Sequence, residues 1–150
     1  MENSVAMEAG IEYKEFVPEE HLSGVAGICR TLEWDNFHYD TDLTRKSLTA
    51  PGVTTIVAVS RGRKGVVGFA QIQGDGMGLQ THLSLLAVDE PWRRRGVGRR
   101  LIEEGFRRLG AERMDLTSSD EALNFYRSLA HREQVGFRLY PPHSRARQEV

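Results

Sequence analysis

Three joined parts of this 150-residue chain restrict its fold most: the apolar run His82-Leu83-Ser84-Leu85-Leu86-Ala87-Val88, a short polar connection, and Arg93-Arg94-Arg95-Gly96-Val97-Gly98. The last part opens a segment in which Val97, Leu101, Ile102, Phe106 and Leu109 recur at helical spacing. A strand that ends in a glycine-rich turn at a helix start presents several N–H groups with no intrahelical partner, together with the positive end of the helix dipole. Such a junction takes an anion. Glycines at 96 and 98 let backbone come close to a ligand, and Arg93, Arg94, Arg95 and Arg99 add positive charge at the same point, so a pyrophosphate suits it. Two phosphate-binding patterns fail on named residues. A dinucleotide fingerprint needs a third glycine where Leu101 stands, and a P-loop needs Gly-Lys-Ser/Thr where Gly98 is followed by Arg99-Arg100.

Charge follows the same division. The formal net charge is −1, but residues 1–90 hold 7 Lys+Arg against 13 Asp+Glu and residues 91–150 hold 13 against 8. An anionic ligand on the C-terminal half and a cationic one nearer the N-terminal half follow from that split. Nucleic acid does not fit, because the acidic half and the scarcity of aromatics near the arginines oppose a phosphate polymer. The single Cys29 excludes an internal disulfide, and no His/Cys/carboxylate group has metal-ligand spacing. No apolar run approaches membrane-spanning length, and the acidic N-terminus lacks the pattern of a secretion signal, so the expected compartment is the cytoplasm.

Without repeats or a proline-serine linker, the chain reads as one domain with a core over about 11–140 and a tail over 141–150. Pro18-Glu19-Glu20 opens a helix running to about Leu32 through Leu22, Val25, Ala26 and Cys29. Asp40 caps a shorter helix that ends before Pro51. Val53–Val59 and Val66–Ile72 flank a Gly-containing turn and form a hairpin, and His82–Val88 extends it into an antiparallel meander. The helix from Val97 ends at Gly110, with Arg99–Glu103, Arg100–Glu104, Glu103–Arg107 and Glu104–Arg108 as i,i+4 pairs on its exposed face, each worth about 0.2–0.5 kcal/mol. Met114–Thr117 reads as a strand, Asp120–Leu129 as a helix and Gly136–Tyr140 as a last strand.

In this order of elements, Arg93-x-x-Gly96-x-Gly98 resembles motif A of the GNAT superfamily of N-acetyltransferases, written Gln/Arg-x-x-Gly-x-Gly/Ala. Downstream, Ala122-x-x-Phe125-Tyr126 followed by Gly136-Phe137 is similar to the family's Ala-x-x-Phe-Tyr…Gly-Phe segment, so the resemblance spans about 15–140. It implies an α/β fold whose mixed, mostly antiparallel sheet carries helices on both faces and splayed strands 4 and 5. It also implies acetyl-CoA as co-substrate and direct acetyl transfer to a primary amine of a small molecule or peptide. The rival is a catalytically idle acyl-CoA-binding or sensing module. Homodimers are common in the family.

Carried over residue by residue, the resemblance puts pantetheine along strand four at Leu86, Ala87 and Val88 and the pyrophosphate on Arg93, Arg94, Arg95, Gly96, Val97, Gly98 and Arg99. Tyr126 matches the tyrosine beside the thioester sulfur, where it protonates the leaving thiolate. Ser119 stands where the family often has an asparagine that holds the cofactor. An amine attacks only when neutral and the tetrahedral oxygen needs a donor, which calls for a base and for backbone N–H groups near Leu86. By period-2 alternation His82, Ser84 and Leu86 share a face, making His82 the base, directly or through water ordered by Ser84. Phe37, His38 and Tyr39 line the acceptor pocket. The segment Ala130–Val135 is an insertion relative to the family pattern and, with Glu33–Asp42, bears on acceptor choice.

Overall fold

In a computed structural model that describes residues 10–62 and 65–143, except the side chain of His38, four strands form one antiparallel sheet in chain order. They are β1 (Ile11–Glu15), β2 (Val53–Ser60), β3 (Gly65–Gly74) and β4 (Thr81–Val88). The helices are α1 (Pro18–Thr31), α2 (Asp35–His38), α3 (Thr41–Leu48), α4 (Val97–Leu109) and α5 (Leu123–Arg127), with 3-10 turns at Glu90–Trp92 and Asp120–Ala122. None of the described helices is long and apolar enough to cross a membrane. The turn at 63–64 and the tail from 144 on, like the N-terminal segment weighed as a secretion signal, lie outside the described residues.

Continuous burial of Ile56, Val57 and Ala58 in β2, and of Val67 through Ile72 in β3, follows from a sheet covered on both faces. On one face α1 and the segment after it bury Val25, Ile28 and Cys29 against Phe16, Val57, Phe69 and Ala87. On the other, α4 lies so close that a Cβ on Gly68 would meet Val97 and Leu101 at 3.3 Å, and one on Gly105 would run into Ile72. β1 was not expected. Its sequence Ile11-Glu12-Tyr13-Lys14-Glu15 carries three charges, which an edge strand tolerates because only Ile11 is buried.

The ion pairs of α4 also differ from expectation. Glu104 is on the buried face, 6% exposed, and collects Arg107 at 2.6 Å, Arg108 at 3.3 Å and Arg100 at 3.5 Å. Burial alone would raise its pKa, but the three guanidinium groups hold the carboxyl below its ordinary value. Arg100 lies over the Tyr13 ring and Arg108 donates to the Tyr13 carbonyl at 3.3 Å, so the cluster ties α4 to the edge strand.

Two expected strands are absent among the described residues. Met114–Thr117 contributes only a parallel bridge, with Leu83 N–H donating to Asp115 and Asp115 N–H to Thr81, both at 2.9 Å. Gly136–Tyr140 forms no ladder, and Val135, Phe137 and Leu139 are 83%, 82% and 88% exposed. Among the described residues the sheet therefore has four strands, and the expected splayed fifth is not one of them. Contacts divide the chain into two compact units, Met1–Leu116 and Thr117–Val150. In the second, the helix expected over Asp120–Leu129 is a 3-10 turn plus the five residues of α5. There Arg127 pairs with Glu133 of the insertion at 2.8 Å, and the ring of Phe125 meets Tyr126 edge to face at 5.0 Å.

Entry into α1 depends on a histidine. Val17 has no capping side chain, yet its own N–H donates to Nδ1 of buried His21 at 2.8 Å, which requires that nitrogen to be unprotonated. Burial lowers the His21 pKa, the Glu20 carboxylate at 3.6 Å opposes the shift, and Lys14 adds to it. A depressed folded-state pKa contributes stability that is fully present above the unfolded value near 6.5 and is lost as pH falls through the folded value. The melting temperature should therefore drop between pH 7.5 and pH 5.5, and His21→Gln should shrink that drop; an equal drop in the variant would remove His21 as its source.

Candidate active site

β4 is the edge of the sheet, and it is irregular. Gln71 pairs with Leu85 while the next residue of β3, Ile72, pairs with Leu83, so Ser84 is the extra residue of a β-bulge. Directly paired residues share a face. His82, opposite Gln73, thus lies on the face of Leu85 and Ala87, whereas Leu86, opposite Ala70, lies on the other with Val88. The single face expected for His82, Ser84 and Leu86 is broken at the bulge. His82 is exposed and Ser84 half-buried.

At the far end of β4 the chain turns tightly. Asp89 N–H donates to Val67 at 2.8 Å, Trp92 N–H to Asp89 at 2.8 Å and Arg93 N–H to Glu90 at 3.1 Å. Arg93 then reaches back, its Nε donating to the Val88 carbonyl at 2.9 Å, so it staples the turn to the strand end. Arg95 lies 5.2 Å over the Trp92 ring. Arg94 has φ 62° and Gly96 φ 81°, both left-handed, which reverses the backbone twice within three residues. A Cβ on Gly96 would meet no heavy atom within 4 Å, so it is conformation rather than crowding that selects glycine there. The first rung of α4 is Arg100 N–H to Gly96 at 3.0 Å, leaving the N–H groups of Val97 and Gly98 ahead of the helical ladder. Gly96 offers no side-chain cap, and the first turn of α4 holds no acid.

Two groups of expected site residues are thus joined: Leu86–Val88 on β4 and Arg93–Arg99 on the turn are linked by one 3-10 segment and the Arg93 staple. Phe37 packs on the core beside Phe69. Tyr39 is 78% exposed, and only the backbone of His38, the last residue of α2, is described. In the second unit Ser119 is exposed, and its carbonyl accepts from Ala122 N–H at 3.1 Å and from the Ser118 hydroxyl at 2.8 Å. Tyr126 is half-buried there, and burial pushes its phenol pKa up. Sequence reasoning missed the bulge and the left-handed Arg94. No residue type signals either, since Ser and Arg are ordinary strand and turn residues.

The family model described as an acetyltransferase (GNAT) domain matches residues 51–130, from the start of β2 to the end of α5 and just beyond. No curated protein matches the chain by sequence. Among solved structures, an acetyltransferase from Trypanosoma brucei is 25% identical, with 87% of this chain and 99% of that one covered at a TM-score of 0.63. An aminoglycoside acetyltransferase from an uncultured soil metagenomic sample, solved with sisomicin, is 23% identical over 87% and 95% of the two chains at 0.68. An aminoglycoside N-acetyltransferase solved with CoA is 19% identical over 89% and 95% at 0.69. These likenesses are of fold, and they agree with the α/β architecture of an antiparallel sheet between helices. With more than half of its length matched by the family model, and with the glycine turn of that family standing between β4 and α4, the chain belongs to the GNAT acetyltransferase family.

Proposed function

We propose that the chain is a single acetyl-CoA-dependent N-acetyltransferase domain, with its core over about 11–140, that moves an acetyl group directly to a primary amine of a small molecule or peptide. The observation that carries this reading is the doubly left-handed turn Arg94–Gly96 at the start of α4. Gly96 leaves open space there, and the exposed side chains of Arg93, Arg94, Arg95 and Arg99 all stand within three residues of it and add positive charge. A diphosphate fits both features.

In this reading Arg93–Arg99 hold the pyrophosphate, the backbone of Leu86, Ala87 and Val88 on the open edge of β4 receives the pantetheine, and Ser119 adds a hydrogen bond. Because the Arg93 Nε is spent on Val88, that arginine acts mainly by fixing the strand end to the turn. Bound acetyl-CoA supplies an acetyl group activated as a thioester. The chain must then deprotonate the amine, stabilise the oxygen that gains charge and return a proton to the thiolate. His82 is proposed to take the amine proton, directly or through water held by Ser84. The bulge frees backbone at Ser84 from regular pairing, which suits N–H donation to the charged oxygen. Tyr126 is proposed as the acid: its burial keeps the phenol protonated throughout the neutral range.

Two experiments test the assignment. Gly96→Glu puts a strained backbone and a carboxylate in the turn, and calorimetric titration should show at least a ten-fold loss of CoA affinity, whereas Gly96→Asn, which tolerates φ > 0, should bind more nearly as the wild type does. Equal affinity in the wild type and the Glu variant would move the pyrophosphate elsewhere. Tyr126→Phe should lower kcat about 100-fold with the KM for acetyl-CoA unchanged. Unaltered turnover would remove Tyr126 as the acid and leave the binding site standing.

A further inference from the structure

Inside the first unit a row of directly paired residues crosses three strands: Thr55 on β2, Gln71 on β3 and Leu85 on β4. Two of the three are polar, yet Thr55 and Gln71 are each only 3% exposed, and Gln71 stands between the fully buried Ala70 and Ile72. A hydroxyl and an amide in such surroundings are unfavourable unless they are hydrogen-bonded. Both spend their donors on the last turn of α3. Gln71 Nε2 donates to the carbonyl and to the hydroxyl of Ser47, each at 3.0 Å, and the Thr55 hydroxyl donates to the Leu48 carbonyl at 2.7 Å. Those carbonyls are among the ones an α-helix leaves without intrahelical partners, so the sheet itself caps α3. An aliphatic side chain at 71 would be buried with no polar group to desolvate; what the amide adds is direction, because it fixes the helix through named atoms.

One turn back along α3, Thr44 carries the hold further. Its side chain is 1% exposed, and its hydroxyl reaches the Phe37 carbonyl in α2 and, at 2.9 Å, the Asp40 carbonyl. The Phe37 ring packs on the core cluster that contains Leu48 and Phe69. Contacts therefore run without a gap from β3 through α3 to α2. On the same face of the sheet the next row is Val53, Gln73 and His82, about 7 Å further along β3. The row that anchors α3 is thus the neighbour of the row that ends in the proposed base, and it meets β4 at Leu85, beside the bulge at Ser84.

We propose that Gln71 is a positioning residue for the acceptor: acting through α3, it sets where α2 and the segment Phe37–Tyr39 stand relative to His82. The inference rests on the N-acetyltransferase reading, in which that segment lines the acceptor pocket and His82 takes the amine proton. Two variants test it, Gln71→Met, which keeps the length of the side chain and removes both donors, and Thr44→Val, which keeps the shape and removes the hydroxyl. Acetyl transfer is measured with butylamine, 1,4-diaminobutane, glycinamide and trialanine, below the melting temperature of each variant. For the amine that the wild type acetylates fastest, each variant should raise the amine KM about five-fold or more with kcat within about two-fold, while the calorimetric affinity for acetyl-CoA stays unchanged. Because the two residues act in series, the double variant should be no worse than the poorer single one. An unchanged amine KM in either variant, or a parallel loss of acetyl-CoA affinity, reduces Gln71 to a stabilising residue and overturns the proposal; KM increases that multiply in the double variant overturn the series from Gln71 through Thr44. A wild type that binds acetyl-CoA but transfers to none of these amines instead overturns the reading as an N-acetyltransferase of small-molecule and peptide amines, and the role of Gln71 with it.

Discussion

The close seating of α4 on the sheet sets the geometry of everything near the open edge. Without side chains at Gly68 and Gly105, the helix packs Val97 and Leu101 directly on β3, and Ile72 fills the space a Cβ at 105 would need. A methyl group at position 68 would crowd the Ala87 carbonyl at 3.0 Å and Val97 and Leu101 at 3.3 Å, and one at position 105 would displace the Ile72 side chain. Because only one 3-10 turn separates Val88 from Arg93, the start of α4 has little freedom, and the Arg93–Val88 hydrogen bond removes much of what remains. The glycine turn is thus positioned by apolar packing at a distance from it.

The Glu104 cluster works at the other end of the same helix. A carboxylate buried alone would be strongly destabilising; here three arginines at i−4, i+3 and i+4 surround it, and two of them also reach Tyr13. The arrangement sorts the arginines of this segment. Arg100, Arg107 and Arg108 serve the joint between α4 and β1, while Arg93, Arg94 and Arg95 lie ahead of the helix, away from that acid. These six arginines accordingly divide between the joint of α4 with β1 and the turn ahead of α4.

Much of the first unit was legible because its pattern is local. Val25, Ala26 and Cys29 at helical spacing gave α1, Asp40 gave the cap of α3 by accepting from Leu43 N–H at 2.9 Å, and the β-branched run from Val53 gave β2. What failed depends on partners. The segments 114–117 and 136–140 have strand-like residues, but a strand exists only where another backbone completes its hydrogen bonds, and sequence says nothing of that. The converse holds for β1, whose charges hide a strand that its neighbour Val53–Ser60 supports. Glu104 reads as exposed until the arginines that bury it are seen together. At the site, the glycines and arginines were plain, whereas the bulge at Ser84 belongs to the register of two strands and shifts His82 to the face opposite Leu86.

Helix ends carry the last clue. Proteins place acids at helix N-termini and glycine at left-handed C-termini because each choice favours the helix by a few tenths to about 1 kcal/mol. The chain follows that rule where α3 opens on Asp40 and Asp42 and where α4 closes on Arg107, Arg108 and Gly110. It breaks the rule at the N-terminus of α4, which opens on an uncapped glycine behind three arginines with no acid in its first turn, and at the C-terminus of α1, which closes on Glu33. The first of these exceptions lies just beyond the C-terminal end of β4. An anion there would supply the missing cap and neutralise the arginines. A misfit of this kind is what the proposed site for an anionic cofactor entails, because the ligand then recovers stability that the free protein forgoes.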